Sequence, residues 1–279
     1  MFRKILIANR GEVAIRILRA CREMGIPSVA VYSEADRNAL HVRLADQAFL
    51  LGPASPLESY LSIPRLMVVA RLSGADAIHP GYGFLSENPN LARTCQEEGI
   101  AFIGPTEEVL EKAGNKGAAR RRMTEAGLLI IPGTLDGLAG EDEAFQVAEE
   151  LGYPVLLKAA AGGGGKGMRI VHDASEMRPA IRTARNEAEM AFGDSTLYVE
   201  KLISRARHIE MQILADAQGN MVYLGERECS IQRRHQKLVE EAPSPVMGPE
   251  DRRTLGETVL RGARAIGYGG AGTFEFLRD

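Results

Sequence analysis

A run of glycines near the middle of the chain is accompanied by two lysines that could neutralise phosphate charge. Five of the six residues from Gly162 to Gly167 are glycine, with Lys158 just before the run and Lys166 inside it. Backbone without side chains can come close to a ligand, and its unhindered N–H groups can surround phosphate oxygens. The lysines add point charges. This segment predicts a nucleotide phosphate site, and the alternative that its composition leaves open is a disordered glycine hinge.

The segments on either side of the glycines decide which kind of loop this is. Residues 153–158 and 168–171 are mostly apolar and are typical of buried strands. A P-loop or a dinucleotide-binding turn would need a helix directly after the glycines, and none is predicted there. The sequence therefore predicts a strand–loop–strand flap over nucleotide phosphates.

Polar residues recur at alternate positions in a later segment. Period two places His208, Glu210 and Gln212 on one face of the predicted strand 208–215, with apolar residues on the other face. Such a polar face is either solvated or the lining of a polar ligand cleft. Further polar groups favour the cleft: Lys116 at a helix start, Glu200 and Lys201 beside an apolar pair, the six polar residues 232–237, and Glu275.

Glu275 stands between Phe274 and Phe276 in the last predicted strand. Because neighbouring side chains on a strand point to opposite faces, the carboxylate faces away from both rings. It either lies at an exposed edge or points into a site. Carboxylate oxygens are the ligands that Mg²⁺ prefers, so Glu275 is a candidate metal ligand.

The elements that would position these groups fall into two parts. Residues 1–112 alternate strand and helix, which predicts a doubly wound parallel sheet, but the first turn, Asn9–Glu12, lacks a dinucleotide fingerprint. After Gly114 the composition changes. Predicted helices over 116–126, 142–151, 175–192 and 249–266 then accompany strands with an antiparallel pattern at 196–202, 208–215, 221–229 and 272–277.

Composition and charge exclude several function classes. The chain has 279 residues and a net charge of −3, which fits two domains and argues against a nucleic-acid surface. No apolar run is long enough to span a membrane. The first predicted strand begins almost at Met1, and the three cysteines are far apart. We therefore expect a cytoplasmic protein with reduced thiols and no targeting peptide.

Several single residues carry structural expectations. The run Arg120–Arg122 is expected to form a solvated helix face, and His41 and His172 are expected at the surface. His79 precedes Pro80 and is expected to stabilise a turn. Cys229 is expected to be a small buried apolar residue.

Five motifs in order along the whole chain resemble those of the biotin carboxylase family, the ATP-grasp component of acyl-CoA and pyruvate carboxylases. The motifs are Arg3–Glu12, His79–Asn88, Lys158–Met168, Gln232–Lys237 and Gly272–Phe276. The resemblance implies an α/β fold with two domains. A Rossmann-like N-terminal domain, 1–113, would precede an incomplete ATP-grasp α+β domain, 114–279, with a glycine-rich flap subdomain at about 131–203.

The resemblance also implies a ligase reaction. ATP would phosphorylate bicarbonate to carboxyphosphate, and the released CO₂ would be captured by biotin on a separate carrier protein. The nucleotide contacts carried over are Lys116, Lys158, Gly164, Gly165, Glu200, Lys201, Ile203, His208, Gln232 and His235. Lys237 would bind bicarbonate or carboxyphosphate, and Glu275 would ligate Mg²⁺ or Mn²⁺. A carboxyltransferase partner is implied, as in the acetyl-CoA carboxylase of fatty acid biosynthesis, together with a homodimer for the full-length protein.

The family pattern continues beyond the last residue of this sequence. There, further strands carry Glu-Met-Asn-Thr-Arg and Gln-Val-Glu-His, which supply a second metal carboxylate, the catalytic arginine and a base. The expectation is therefore a fragment whose ATP site is mostly present. Two alternatives stay open: a nucleotide-binding module without turnover, and another ATP-grasp ligase of the carbamoyl-phosphate synthetase type. The final acyl-CoA or keto-acid acceptor is not encoded in these motifs.

Overall fold

In a computed structural model the chain forms two compact units. The first comprises residues 1–114 and 268–271, and the second comprises 115–267 and 272–279. The structure describes residues 1–114, 116–160, 167–233 and 236–279. No helix among these residues is long and apolar enough to cross a membrane.

The first unit is a five-stranded parallel sheet with helices between its strands. The strand order is β3-β2-β1-β4-β5. Its elements are β1 (Ile5–Ile7), α1 (Gly11–Glu23), β2 (Ser28–Ser33), α2 (Leu40–Leu44), β3 (Gln47–Gly52), α3 (Ile63–Ser73), β4 (Ala77–His79), α4 (Pro89–Glu97), β5 (Ala101–Phe102) and α5 (Glu107–Gly114). The predicted doubly wound sheet is confirmed. Because reversal of strand order around β1 needs helices on both faces, the inner strands are almost wholly buried.

Three elements of this unit were missing from the sequence prediction. Strand β3 lies at the sheet edge, and although residues 48–51 are apolar, only Leu51 among its six residues is buried. Helices α2 and α5 are also additional. On α1, the buried residues are Ala14, Leu18 and Cys21, and Met24 at its C-terminal end is 58% exposed.

A buried polar network follows β2. The Asp36 carboxylate forms an ion pair with Arg10 and accepts hydrogen bonds from the Tyr60 hydroxyl at 2.7 Å and the Ser33 hydroxyl at 3.2 Å. Burial raises the pKa of Asp36, but these donors outweigh it and hold the pKa below its usual value. His41 is fully buried beside this network, with Nε2 3.3 Å from the carbonyl oxygen of Val31. The expectation of a surface His41 was wrong, because the short helix α2 presses it against β2.

We expect Asp36→Ala to lower the free energy of unfolding by about 2 kcal/mol, because the hydroxyls of Tyr60 and Ser33 would stay buried without their acceptor. Chemical denaturation followed by circular dichroism measures this loss. Glu34→Ala is the matched control, since Glu34 lies in the same 3₁₀ turn and is exposed. An equal loss in both variants would show that the network is not the cause.

The second unit holds two antiparallel sheets and four helices within its described residues. The elements are α6 (Lys116–Glu125), α7 (Glu141–Leu151), β6 (Val155–Ala159), β7 (Met168–Val171), α8 (Ala174–Phe192), β8 (Leu197–Lys201), β9 (Arg207–Ala215), β10 (Met221–Arg233), β11 (Gln236–Glu241), α9 (Pro249–Ala265) and β12 (Gly270–Arg278). The strand orders are β7-β6-β8 and β11-β10-β9-β12.

The three-stranded sheet buries one face against helices. Val155, Leu157 and Ala159 alternate into a core that α7 and α8 complete. The intervening residues, Leu156 and Lys158, therefore lie on the opposite face. This alternation is what frees Lys158 for polar contacts.

The polar segment 232–237 has its described residues in two strands, with Gln232 and Arg233 at the end of β10 and Gln236 and Lys237 at the start of β11. Gln232 in β10 pairs with Lys237 in β11, and Ile231 pairs with Val239. All six residues of β11 are exposed. Because no residue of β11 is buried, the segment lacks the alternation that would indicate a strand.

Candidate active site

The two strands that flank the glycine-rich segment form an antiparallel pair, as predicted. Strands β6 and β7 are antiparallel, and Lys158 pairs with Met168. Below the loop, the Ala159 amide donates to the Gly167 carbonyl at 3.0 Å. Gly167 has a φ of +72°, and a Cβ there would lie 2.7 Å from that of Ala159, so only glycine fits this return. The predicted contacts Gly164 and Gly165 lie outside the described residues.

A buried carboxylate joins the hairpin to the neighbouring helix. Glu200 on β8 is 7% exposed, and one of its oxygens accepts from Arg120 at 2.5 Å while the other is paired with Lys158. Because Leu156 pairs with Glu200, the side chains of Glu200 and Lys158 lie diagonally on the same face of the sheet. We name Arg120, Lys158 and Glu200 the lid cluster.

Arg120 is a residue that the sequence interpretation placed wrongly. Its side chain is 16% exposed, not solvated, and its guanidinium also donates to the carbonyl oxygen of Ile131. The adjacent Arg121 does fit the solvated interpretation, since it pairs with the 78%-exposed Asp136. The signal that could have found Arg120 is Glu200 itself, because a carboxylate in a buried strand requires cationic partners.

Two further predicted nucleotide contacts, Lys201 and Ile203, lie at the end of β8. The Lys201 ammonium donates to the carbonyl oxygen of Gly152 at 2.7 Å, and its amide donates to that of Pro132 at 2.8 Å. Ile203 follows the strand and is half-buried. Lys116 begins α6, so its backbone starts the helix that carries Arg120.

The four-stranded sheet gathers charged residues on one face. Lys237 on β11 pairs with Glu210 on β9, and its ammonium lies 3.0 Å from the carboxylate of Glu275 on β12. His208 Nε2 lies 3.7 Å from the other oxygen of Glu275. Arg227 on β10 pairs with Glu210 at 2.6 Å. We name these five residues the sheet cluster.

Burial distinguishes this face from a solvated one. Glu210 is 2% exposed, whereas His208 and Gln212 are half-buried. Arg227 was missed by sequence reasoning, yet it also donates to Gln212 at 3.0 Å and so ties the polar row together. Of the other predicted residues, Gln232 donates to the Cys229 carbonyl at 2.8 Å, and His235 lies outside the described residues.

Charge pairing fixes the protonation states of Glu275 and Lys237. The contact with His208, together with the ion pair with Lys237, lowers the pKa of Glu275 to about 2. Burial opposes the charge on Lys237, but hydrogen bonds to Glu210 and Glu275 raise its pKa to about 12. At neutral pH this face therefore presents an ionised carboxylate beside a protonated lysine. Lys237 is suited to hold an anion and not to remove a proton.

A doubly wound unit, followed by a glycine hairpin and a charged antiparallel sheet, defines an ATP-grasp ligase. Residues 115–279 match the family model described as carbamoyl-phosphate synthase L chain, ATP binding domain, and residues 1–110 match that described as biotin carboxylase, N-terminal domain. The chain belongs to the first of these families and carries the N-terminal and ATP-binding domains of the biotin carboxylases.

Similar proteins agree with this membership. Biotin carboxylase 1 of Bacillus subtilis is 51% identical over all of this chain and 62% of its own length. The structure of a biotin carboxylase–beta-gamma-ATP complex from Campylobacter jejuni is 50% identical, with a TM-score of 0.97, covering all of this chain and 63% of that one. The biotin carboxylase domain of Hydrogenobacter thermophilus 2-oxoglutarate carboxylase, a dimer with MgADP, ADP and bicarbonate, has a TM-score of 0.96 at 50% identity, over all of this chain and 61% of that one. The chain thus spans less than two thirds of the length of these relatives.

We expect Arg120→Leu to weaken nucleotide binding roughly fivefold, because Glu200 would lose one of its two cations and Lys158 would be held more tightly by the remaining carboxylate charge. Calorimetric titration with ATP measures the effect. Arg121→Leu, one position along the same helix, should bind ATP as the wild type does. Equal ATP affinity in all three proteins would show that Arg120 does not contribute to the nucleotide site.

Proposed function

We propose that this chain is the ATP-binding part of a biotin carboxylase, which uses ATP and bicarbonate to carboxylate biotin on a carrier protein. The observation that carries the proposal is the sheet cluster, in which protonated Lys237 lies between Glu210 and Glu275 on the face that also holds His208. A phosphorylated bicarbonate is an anion, and phosphoryl transfer depends on positioning and charge neutralisation.

The nucleotide is proposed to bind between the glycine hairpin and the sheet cluster. Lys158 would neutralise phosphate charge, and Glu200 would hold the adenine edge together with the end of β8. The full proposed set is Lys116, Lys158, Gly164, Gly165, Glu200, Lys201, Ile203, His208, Gln232 and His235. The lid cluster supports this placement, because its ion pair with Glu200 holds Lys158 on the face of the three-stranded sheet that is not covered by α7 and α8.

Glu275 fits the ligand type that Mg²⁺ or Mn²⁺ requires. Its carboxylate is ionised and 56% exposed, so an oxygen is accessible to a hard cation. The metal would supply neutralisation of charge on the phosphate oxygens. Lys237 would lie beside it and hold bicarbonate or the carboxyphosphate derived from it. Biotin would supply the ureido nitrogen that accepts CO₂, and it would come from another polypeptide or segment.

Domain limits and partners are part of the same proposal. The N-terminal domain would run over 1–113 and the ATP-grasp domain over 114–279, with the flap at about 131–203. A biotin carrier and a carboxyltransferase would be the partners, and a homodimer is suggested by the dimeric Hydrogenobacter domain. We place the protein in the cytoplasm.

The test is the dependence of ADP formation on the second substrate. The protein that contains this chain would be incubated with MgATP and with bicarbonate, with bicarbonate and free biotin, or with ammonium, and ADP would be measured. We expect bicarbonate to be required and biotin to increase the rate. ADP formation whose rate depends on ammonium would favour the carbamoyl-phosphate synthetase type of ligase. ATP binding without ADP formation in any mixture would favour a binding module.

A further inference from the structure

Three side chains with metal-binding atoms meet on the inner part of the charged sheet face. His208 and Glu210 lie on β9, and Cys229 lies on the adjacent strand β10, where Glu228 pairs with Ile209. One potential ligand atom from each of the three lies within 4.8 Å of the others. Neither the nucleotide placement nor the proposed magnesium ligand uses the thiol of Cys229.

The state of these atoms is unusual for a merely structural cluster. His208 Nδ1 is buried and has no hydrogen-bond partner among the described residues, although its Nε2 faces Glu275. A buried ring nitrogen without a partner loses the hydrogen bond that it would make in water, so a ligand for it would be stabilising. Cys229 is fully buried, and burial together with the nearby carboxylates raises its pKa to about 12, so the thiol is protonated in the metal-free protein.

We propose that His208, Glu210 and Cys229 form a binding site for Zn²⁺ and similar soft divalent cations. Imidazole nitrogen, carboxylate oxygen and thiolate sulfur are the three ligand types that zinc takes in proteins, and three protein ligands leave a fourth position open. On binding, the Cys229 thiol loses its proton to solvent and the sulfur coordinates the metal. Glu210 can keep Arg227 on one oxygen while the metal takes a lone pair of the other.

The local charge permits a divalent cation here. Glu210, Glu240 and Glu275 face two cations, Arg227 and Lys237, so this part of the sheet carries one excess negative charge. Zinc with the thiolate adds one positive charge and neutralises it. The metal would displace Lys237 from Glu210.

Inhibition is the functional consequence, and this part rests on the proposed function. His208 and Lys237 are the groups proposed to contact nucleotide and bicarbonate. A cation held by His208 and displacing Lys237 would therefore compete with both. The site would make the enzyme sensitive to free zinc while leaving the hard Mg²⁺ ligand Glu275 in place.

Cadmium is the probe, because a cadmium–thiolate bond gives an ultraviolet charge-transfer band that reports sulfur ligation directly. The protein would be titrated with Cd²⁺ in excess Mg²⁺, which occupies sites built only from oxygens. We expect a saturable band equivalent to one thiolate, lost in Cys229→Ala and kept in Cys95→Ala. Cys95 is the matched control because it is equally buried but lies in the first unit. A missing band, or one lost in Cys95→Ala and kept in Cys229→Ala, would overturn the site.

A second variant separates ligation from folding. His208→Gln retains the thiol, and we expect it to weaken Cd²⁺ binding at least tenfold, since one of three ligands is lost; unchanged affinity would overturn the three-ligand site. Thermal melting of each variant verifies that it is folded. Competition with MgATP tests the consequence: the half-saturating concentration of free Cd²⁺, corrected for the Cd²⁺ that ATP itself binds, should rise with ATP. A band that ATP does not shift would leave the metal site standing and overturn the inhibition, so the two proposals fail separately.

Discussion

Lys237→Ala is expected to lower the rate of bicarbonate-dependent ADP formation about 100-fold or more, the loss typical when a preorganised group that stabilises transition-state charge is removed. The Lys237 ammonium lies 3.0 Å from the carboxylate of Glu275, the proposed metal ligand. Without it, two carboxylates would face an anionic substrate. We expect the KM for bicarbonate to rise and kcat to fall, whereas ATP affinity should change less than about threefold because the lid cluster is untouched.

Two variants and a pH series make this prediction specific. Lys237→Arg keeps the charge and should recover part of the rate. Lys112→Ala is the control, because it removes a lysine that lies outside the sheet cluster and is paired with the exposed Glu108. With a pKa near 12, Lys237 stays protonated through the usual assay range, and its charge is lost only as the pH rises toward that value. Below about pH 10, saturation with bicarbonate should therefore have the same pH dependence in the wild type and in Lys237→Arg. A full rate in Lys237→Ala would exclude the anion-holding role.

Periodicity and turn chemistry account for the parts of the fold that the sequence predicted. The apolar stretches 153–158 and 168–171 identified the strands on either side of the glycines. Strict alternation identified β9, with Ile209, Met211 and Ile213 buried. In each case a local pattern along the chain carries the information.

The partners of buried charges could not be read in the same way. Arg120 and Glu200 are separated by eighty positions, and nothing local in a helix with three consecutive arginines marks one of them for burial. Likewise, His41 becomes buried because α2 packs on β2. Such contacts depend on tertiary packing, which intrinsic preference does not encode.

Strand β11 was not predicted from the sequence for a related reason, and this affects how the site is understood. Its polar, exposed sequence is typical of a loop, yet backbone pairing with β10 makes it a strand. That pairing brings Lys237 over β9, where it meets Glu210. The sequence could name Lys237 only through a family resemblance, since its partners lie on strands far away in the chain.

The lid cluster is one such distant set of charge pairs, and the nucleotide placement proposed above gives it a role. Lys158 is paired with Glu200 and is 29% exposed, so its ammonium is already partly desolvated and held in position. Arg120 supplies a second cation to the same carboxylate. When phosphate approaches, Lys158 can exchange its partner while Arg120 continues to neutralise Glu200. The cluster would therefore lower the cost of moving the lysine onto the ligand.

Lys158→Ala is accordingly expected to weaken ATP binding roughly 10- to 100-fold, since a charged hydrogen bond contributes about 1.5–3 kcal/mol. Arg169→Ala is the matched control, because Arg169 lies opposite Leu157 on the adjacent strand of the same hairpin and is paired with the exposed Glu187. Its removal should change ATP affinity less than about twofold. Titration calorimetry measures the ATP affinity of the wild type and of both variants. Neither substitution changes Val155 or Leu157, the buried residues of this hairpin, and thermal melting verifies that both variants are folded. Equal ATP affinity in Lys158→Ala and the wild type would show that the lysine of the glycine hairpin does not bind phosphate, and the nucleotide placement built on it would be wrong.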